Sequence, residues 1–503
     1  MKALKEIIII AAFIPFCHFP AMSRQTLAER EELKYCIPQP VYEADSSLVK
    51  LYYQAWEYAK DHIMYTPGLA SPCYMDEGCR DGNGPQTIWI WDTEFMAMYC
   101  KYAPKHFPGI ESLKNFYTPL LDSKESPLRI HHPDNPPLFA WIEYEYYKFT
   151  GDKAHLDSLI KVNAYPQRYF DFFNTLDNSR KFSFGYQKVL LKNHGIGFEW
   201  GPNQCGMDNT ARHREGDIYW LDAISQQALS ALYITKLAKE VGDRKTLRRF
   251  KKEYASLRET IDKYYWDDSK GCYFDIFRKD STTTGILSVA SFWPLLAEIP
   301  SPAKAERMVR YALDSLRLGG RYPWKSLDPA NRYYVADGGK YWRGAIWLPT
   351  AYMGIKALEK NGFSDEASAS AERLLIQMRD TWRDFEPHTI WECYSPSAAL
   401  PALNKKNRLV REDFCGWSAL GPISLFIENV IGIYDVDAVK RIVKWDIRHN
   451  FTHGVKHLRF GTIDADLIYS EGAVRVRSNA SFVLIANGRR FRVRPGENRL
   501  LCP

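Results

Sequence analysis

Two carboxylates of this chain stand among residues that a proton-transferring pair would need. Glu392 lies in Ile390-Trp391-Glu392-Cys393-Tyr394. A carboxylate held between aromatic residues loses hydration, and a buried carboxylate is costly unless it has a partner or a task. Asp208 ends a glycine-rich approach that runs Glu199-Trp-Gly-Pro-Asn-Gln204-Cys-Gly-Met-Asp208-Asn209, with Arg212 close behind. Gly201, Pro202 and Gly206 make this segment a loop, where Asp208 and Asn209 read equally as turn or cap residues and as a delivered proton donor. A third carboxylate, Asp92, follows Trp91 and precedes Phe95 at the head of a helical stretch. It could cap that helix or hold sugar hydroxyls while Trp91 stacks on a ring. Tyr341-Trp342-Arg343-Gly344-Ala-Ile-Trp347 sets an arginine and a glycine between tryptophans. Arg343 could hold a carboxylate or a hydroxyl there, and Gly344 permits close approach. Sugar rings present C–H faces to aromatic rings and hydroxyl edges to charged groups, so carboxylates, arginine and tryptophan together suit a carbohydrate cleft. The aromatic share of 14% suits that chemistry and equally suits an aromatic-rich core.

The elements that must position these residues are helical first and extended last. From about Ser46 to Ile433 apolar residues recur at helical spacing, as in Leu48, Leu51, Tyr52, Trp56 and Ala59, and again from Leu221 to Leu237. At Gly151-Asp152, Gly242-Asp243 and Gly362-Phe-Ser364 a helical run stops at glycine and restarts at Asp or Ser. Glycine tolerates the left-handed conformation past a helix end, and Asp or Ser accepts the free N–H groups of the next helix. Repeated α-hairpins without interleaved strands predict an all-α domain. Their spacing is too irregular for a repeat solenoid, which leaves a toroid or an irregular bundle. After about Thr452 the period becomes two, with strands expected at Ala465–Tyr469, Ala473–Arg477, Phe482–Ile485 and Phe491–Arg494 and a hairpin turn at Asn487-Gly488. The expected organisation is a leader over 1–23, a helical domain over 24–450 and a small β module over 451–503.

Composition narrows the partners. Against 67 Lys+Arg stand 60 Asp+Glu, and the net charge of +7 is dispersed through 503 residues, so a nucleic-acid partner has no support. Lys2 and Lys5, the apolar run Ile7 to Phe19 and the small residues Ala21 and Ser23 have the order of an export signal, and the run is too short to span a bilayer. The expected setting is periplasmic or secreted, with no transmembrane segment in the mature chain. A lipid anchor would need small residues before Cys17, where Pro15 and Phe16 stand. Cys73 and Cys79 could close a small loop, the other thiols read as small buried apolar groups, and no spacing matches a structural zinc site. No cofactor is expected. His131-His132 reads as an exposed loop sooner than a metal site, and a calcium ion held by loop oxygens would leave little sequence trace.

Taken in order, Trp91 to Phe95, Gly206 to Arg212, Tyr341 to Trp347, Glu392 to Tyr394 and Gly416 to Ser418 resemble the motifs of glycoside hydrolase family 63 and the related trehalases and mannosylglycerate hydrolases. The resemblance covers roughly Trp89 to Leu420. It implies a mainly α fold, a six-hairpin α/α toroid, and an inverting α-glycosidase with Asp208 as general acid and Glu392 as general base. Trp91, Asp92, Trp342, Arg343 and Trp417 match positions that line the sugar site, and Phe95, Gly344, Trp347 and Tyr394 from the same motifs complete the expected contacts. Departures surround the carboxylates: Gln204-Cys205 where Glu-Ser is usual, Thr210-Ala211 for Ser-Pro, and Cys393 after the base. Inversion requires one carboxyl to carry a proton while the other, ionised, activates water, with the pair roughly 6.5–9.5 Å apart. On this reading Asp208 should be buried and protonated. The implied substrate is an oligosaccharide or glycoside, an α-glucoside first and an α-mannoside second. A catalytically inactive glycan-binding protein remains a rival, as does a polysaccharide lyase enlisting Tyr394 and His388.

Overall fold

The computed structural model describes residues 27–77 and 86–501. The expected leader, Cys79 and Cys502 lie outside them. The helices sort into two kinds by the pattern of their apolar residues. Leu221–Val241 is buried almost all round, whereas Arg244–Tyr264, joined to it by a tight turn, buries only Phe250 and Ile261 completely. The same contrast separates Leu348–Lys360 from Ser364–Asp384, and Ile90–Cys100 is buried at every position. A helix apolar on all sides belongs inside other helices and an amphipathic one belongs outside, so each hairpin contributes an inner and an outer member. Ser46–Asp61 packs on both Ser364–Asp384 and the π-helical segment Gly421–Val430, bringing the two ends of the helical run together. The result is the expected mainly helical α/α toroid with a strand-rich C-terminal region.

Two of the three predicted stop-and-restart devices form as read. Gly151 and Gly242 adopt left-handed φ of 67° and 72°, while Asp152 accepts from the His155 N–H and Asp243 from Lys245 and Thr246. At the third, Gly362 is also left-handed, but the next helix begins at Ser364 itself, so Phe363 takes the cap position with no side-chain bond.

The β region is wider than its period-two signal. Four expected strands appear as Ile463–Ser470, Ala473–Ser478, Phe482–Ala486 and Arg489–Val493, and Asn487 and Gly488 turn the last pair with φ of 47° and 75°. Strands also form earlier, at Asp435–Asp437 and Ile442–Trp445, so the expected 450/451 boundary falls inside the strand-rich region. A five-stranded antiparallel sheet recruits Gln39–Tyr42 from the other end of the chain, paired with His453–Phe460. A four-stranded sheet contains one parallel pair, Ile442–Trp445 with Phe482–Ala486.

Candidate active site

Inner helices begin at one mouth of the toroid, and the motif loops lie there. Three loops are tied into one wall. Asn209 accepts from the Trp342 N–H at 2.8 Å and donates to the Lys340 carbonyl at 3.0 Å, which joins the Asp208 loop to the Tyr341 loop. Ile346 and Tyr394 exchange backbone bonds of 2.8 and 2.9 Å, joining that loop to Glu392. The Trp417 indole N–H donates to the Glu392 carbonyl at 2.9 Å, and Ser418 Oγ donates to the Trp391 carbonyl at 2.8 Å. Every backbone polar group in such a loop needs a partner, and these loops supply one another's.

Tyr341 sits between the two candidate carboxyls. Its hydroxyl donates to Glu392 Oε1 at 2.9 Å, and the Lys405 ammonium, 5.4 Å from its ring centroid, pairs with Asp208 Oδ2 at 2.8 Å. The phenol is pushed up by burial and by the charges of Glu392 and Asp208. Tyr341 holds φ at +67°, a conformation unfavourable for a bulky residue and typical of positions over-determined by their surroundings.

The two carboxyls differ in setting. Glu392 has a side chain only 6% exposed, also accepts from the Arg411 N–H at 3.3 Å, and has the Arg411 guanidinium 3.5 Å from Oε1. Burial raises its pKa above the ordinary glutamate value, and Arg411 and Tyr341 oppose that rise. Asp208, expected to be buried, is 35% exposed and ion-paired with Lys405. The reason is local: Asp208 lies in an irregular loop whose neighbours Met207 and Thr210 take the buried places.

A residue the sequence reading missed completes the network. Glu77, just past the strand Cys73–Met75, accepts from the Arg411 guanidinium and shares a hydrogen bond with Asp92. Asp92 stands in the first turn of Ile90–Cys100, fully buried, and burial followed by the charge of Glu77 raises its pKa well above the usual carboxylate value. A negative charge beside a buried carboxyl disfavours its ionised form. No motif marks Glu77; the acidic step Asp76-Glu77 was its one sequence trace. His131 was also undervalued. It is half-buried, stacked on Trp89 at 5.7 Å, and near enough to Asp208 and Glu77 for both to oppose the lowering of its pKa by burial and Arg129. His132, read as exposed, is likewise half-buried, and burial lowers its pKa to about 4.

The expected sugar contacts divide. Trp91 lies on Gly206, where a Cβ would meet its ring at 2.8 Å, which explains the glycine before Met207. Trp342 and Trp347 stack at 4.1 Å with Trp417 tilted against the second, a nearly closed aromatic wall. Phe95 and Tyr394 are corrections. Phe95 is enclosed behind Trp91 and Trp141, and the Tyr394 hydroxyl is occupied by the Trp391 N–H at 3.2 Å, so both support the wall from behind. Gly344 admits the Val335 carbonyl, which a Cβ would meet at 2.7 Å, and its close approach is therefore to backbone. Arg212 is an internal clamp, fully buried between Asp222 and Asp275 over the Trp220 ring. Arg343 points along the rim, donating to the Tyr333 carbonyl at 2.8 Å, and Arg214 and Arg332 also lie over the Tyr333 ring. Of these three arginines only Arg332 has a carboxylate, Glu215, at ion-pairing distance among the described residues.

One grouping with metal-ligand geometry, His457, Asp464 and Asp466, lies in the β region. There Asp464 is taken by Arg459 and Asp466 accepts from the His457 N–H. No described helix is long and apolar enough to cross a membrane.

Comparison with known proteins bears on the family and the fold. Residues 167–405 match the family described as the mannosylglycerate hydrolase MGH1-like glycoside hydrolase domain. An uncharacterized protein of Borreliella burgdorferi is 25% identical over 456 residues, covering 86% of this chain and 90% of its own. A cytosolic neutral trehalase of Kluyveromyces lactis is 27% identical over 296 residues, covering 53% of this chain, which spans about a third (35%) of the trehalase. Among solved structures, a chain titled sialidase has a TM-score of 0.69 at 14% identity, covering 94% of this chain and 42% of its own. The family 63 mannosylglycerate hydrolase of Thermus thermophilus, in complex with Tris and D-glycerate, has a TM-score of 0.55 at 15% identity, covering 74% of this chain and 99% of its own. At such identities the structural likeness speaks for the fold.

Proposed function

We propose that this glycoside hydrolase of the family-63-like group cleaves an α-linked glycoside with inversion, Asp208 protonating the departing oxygen and Glu392 drawing a proton from the attacking water. The observation that supports it best is Tyr341, bonded to Glu392 on one side and lying beneath the Lys405–Asp208 pair on the other. Two carboxyls 184 positions apart in the chain (392 − 208) are thereby linked through one tyrosine.

The chemistry divides between them by environment. Glu392 is nearly dry, and the Tyr341 hydroxyl and Arg411 steady its ionised form, so a water in the pocket meets a base whose proton affinity burial has raised. A general acid needs its departing-oxygen side free, and in the ligand-free chain Lys405 occupies Asp208 Oδ2. The Lys405 side chain is 44% exposed, so an entering leaving group can displace it from the carboxyl. Asp92, whose pKa is raised by burial and by Glu77, is placed to hold a sugar hydroxyl while Trp91 offers its ring.

An α-glucoside is the first substrate class by likeness to trehalase. The rim arginines favour a second reading, in which the aglycone carries a carboxylate, as the name mannosylglycerate hydrolase implies for that relative. Arg214 and Arg343 present guanidinium groups that have no carboxylate at ion-pairing distance among the described residues, and guanidinium binds carboxylate in a fixed two-pronged geometry. Comparing kcat/KM for trehalose with that for α-mannosylglycerate and α-glucosylglycerate separates the readings, because Arg343→Gln lowers turnover only of the acidic substrates if the second is right.

The reaction itself is tested by proton NMR during early turnover. Inversion gives the β-anomer first, and an α-anomer at the outset rejects it. Asp208→Asn should lose about 10² to 10⁴ in kcat, the usual worth of a general acid, while still binding sugar; a variant turning over near the wild-type rate removes Asp208 from the mechanism. Export, expected from the first residues, is part of the same proposal and is tested by fractionating cells that express the full chain.

A further inference from the structure

The opposite mouth of the toroid holds a cavity of about 310 Å³ that the proposed reaction does not use. It opens where the inner helices end, among Lys101 after Ile90–Cys100, Lys356 and Lys360 on Leu348–Lys360, and Glu428 on Gly421–Val430. Its size lies at the lower end of small-molecule sites, which run from roughly 300 Å³ upward.

The lining has a composition that packing alone does not require. Lysines and carboxylates face one another in equal numbers, and Tyr144 presents a half-buried ring beside the nearly fully buried Trp141, Tyr233 and Tyr352. Most of the charges are already matched: Glu428 with Lys101 and Lys356, Lys148 with Asp435, and Lys236 with Glu298 at the solvent edge. Lys360 differs. Its ammonium meets the Tyr233 hydroxyl and no carboxylate lies at ion-pairing distance among the described residues, and burial lowers its pKa to about 8. Across the same cavity Glu145 also lacks an ion pair among the described residues and is the charge that most opposes the lowering at Lys360. A donor and an acceptor with unused capacity therefore face a common space bordered by the Tyr144 ring.

We propose that this cavity is a second binding site, for a small neutral polyhydroxylated molecule such as a monosaccharide, separate from the catalytic mouth. Balanced charge disfavours a net anion or cation, because each would leave one set of lining groups facing a like charge. Hydroxyls suit it, since each donates to Glu145 and accepts from Lys360 without a change in net charge, and a sugar's C–H face covers a tyrosine or tryptophan ring.

Equilibrium dialysis of the full chain against labelled D-glucose, with labelled inorganic phosphate as a second probe, tests this. Part of the bound glucose should survive Asp92→Asn, which disturbs the catalytic mouth, and should disappear in Lys360→Met, a loss of one equivalent. Tyr144→Ala alters a half-buried ring of the cavity wall and should remove the same equivalent, which keeps the test decisive if Lys360→Met does not fold. Glucose binding that disappears entirely in Asp92→Asn, persists at wild-type stoichiometry in Lys360→Met and Tyr144→Ala, or is absent from the wild type overturns the proposal. So does phosphate occupying the Lys360 site where glucose does not.

Discussion

The two mouths of the toroid treat buried carboxyls in opposite ways, although the same helices reach both. Ile90–Cys100 carries Asp92 in its first turn and Lys101 at its end, and Leu348–Lys360 runs from Trp347 to Lys356 and Lys360. At the catalytic mouth Asp92 and Glu392 are raised, because burial outweighs the one guanidinium, Arg411, that Glu77 and Glu392 divide between them. At the far mouth Glu428 is equally buried, yet Lys101 and Lys356 overcome its desolvation and hold its pKa at about 2, with Tyr102 and Tyr352 also donating to it. Helix ends reinforce the far arrangement, since lysines complement the negative pole of a helix C-terminus. A fully compensated carboxylate holds a structure together and is chemically inert. One left short of counter-charge keeps the proton affinity that acid–base catalysis needs.

Exchanging the treatments should exchange the consequences. The largest effect is expected from Glu392→Gln, a loss of about 10³-fold or more in kcat with a thermal midpoint at or above that of the wild type, because a carboxyl whose burial outweighs its partners has been removed; a lowered midpoint with turnover intact would assign Glu392 to the structural class. Glu428→Gln should do the reverse. It leaves Lys101 buried without a carboxylate at ion-pairing distance among the described residues and Lys356 with Glu359 alone, a loss of about 3–5 kcal/mol in stability by denaturant titration, with kcat of the folded fraction little changed.

The far carboxylate also fixes a pH dependence of known sign. A carboxyl whose folded pKa lies below its unfolded value contributes stability that is complete above the unfolded value, near 4.5 here, and is lost as pH falls towards about 2. The stability difference between wild type and Glu428→Gln should therefore narrow as denaturation is repeated from pH 6 down to pH 3, and a constant difference would mean Glu428 is not ionised in the fold. The smallest effect belongs to Glu77→Gln. With Glu77 neutral, Arg411 serves Glu392 alone, so the acidic limb of the kcat/KM profile should move to lower pH by less than about one unit. Movement to higher pH would show that Glu77 acts on the base by another route.

The motif clusters were legible because each combines residue types that local packing seldom needs together, and Trp91, Asp92, Asp208, Tyr341, Trp342, Glu392 and Trp417 do converge on one mouth. Glu77 was not legible, since its importance comes from Arg411, more than three hundred residues away, and a single glutamate after a short strand carries no pattern. Phe95 and Tyr394 were misread for a related reason: a motif records that an aromatic ring is needed and is silent on whether it faces the cleft or its back. The strand Gln39–Tyr42 escaped notice because its partner is His453–Phe460, and four residues contain too little alternation to show a period.

By itself the amino-acid order determined the helical hairpins, their glycine stops and the change to period two, because those depend on neighbours within a turn or two of chain. It also determined which side chains were available for chemistry. Only the closed toroid decided how those side chains are charged. Whether a carboxyl is raised, as at Asp92, or held near 2, as at Glu428, depends on cations and water excluded or admitted by helices distant in sequence, and Coulomb and desolvation energies are set by distance in space.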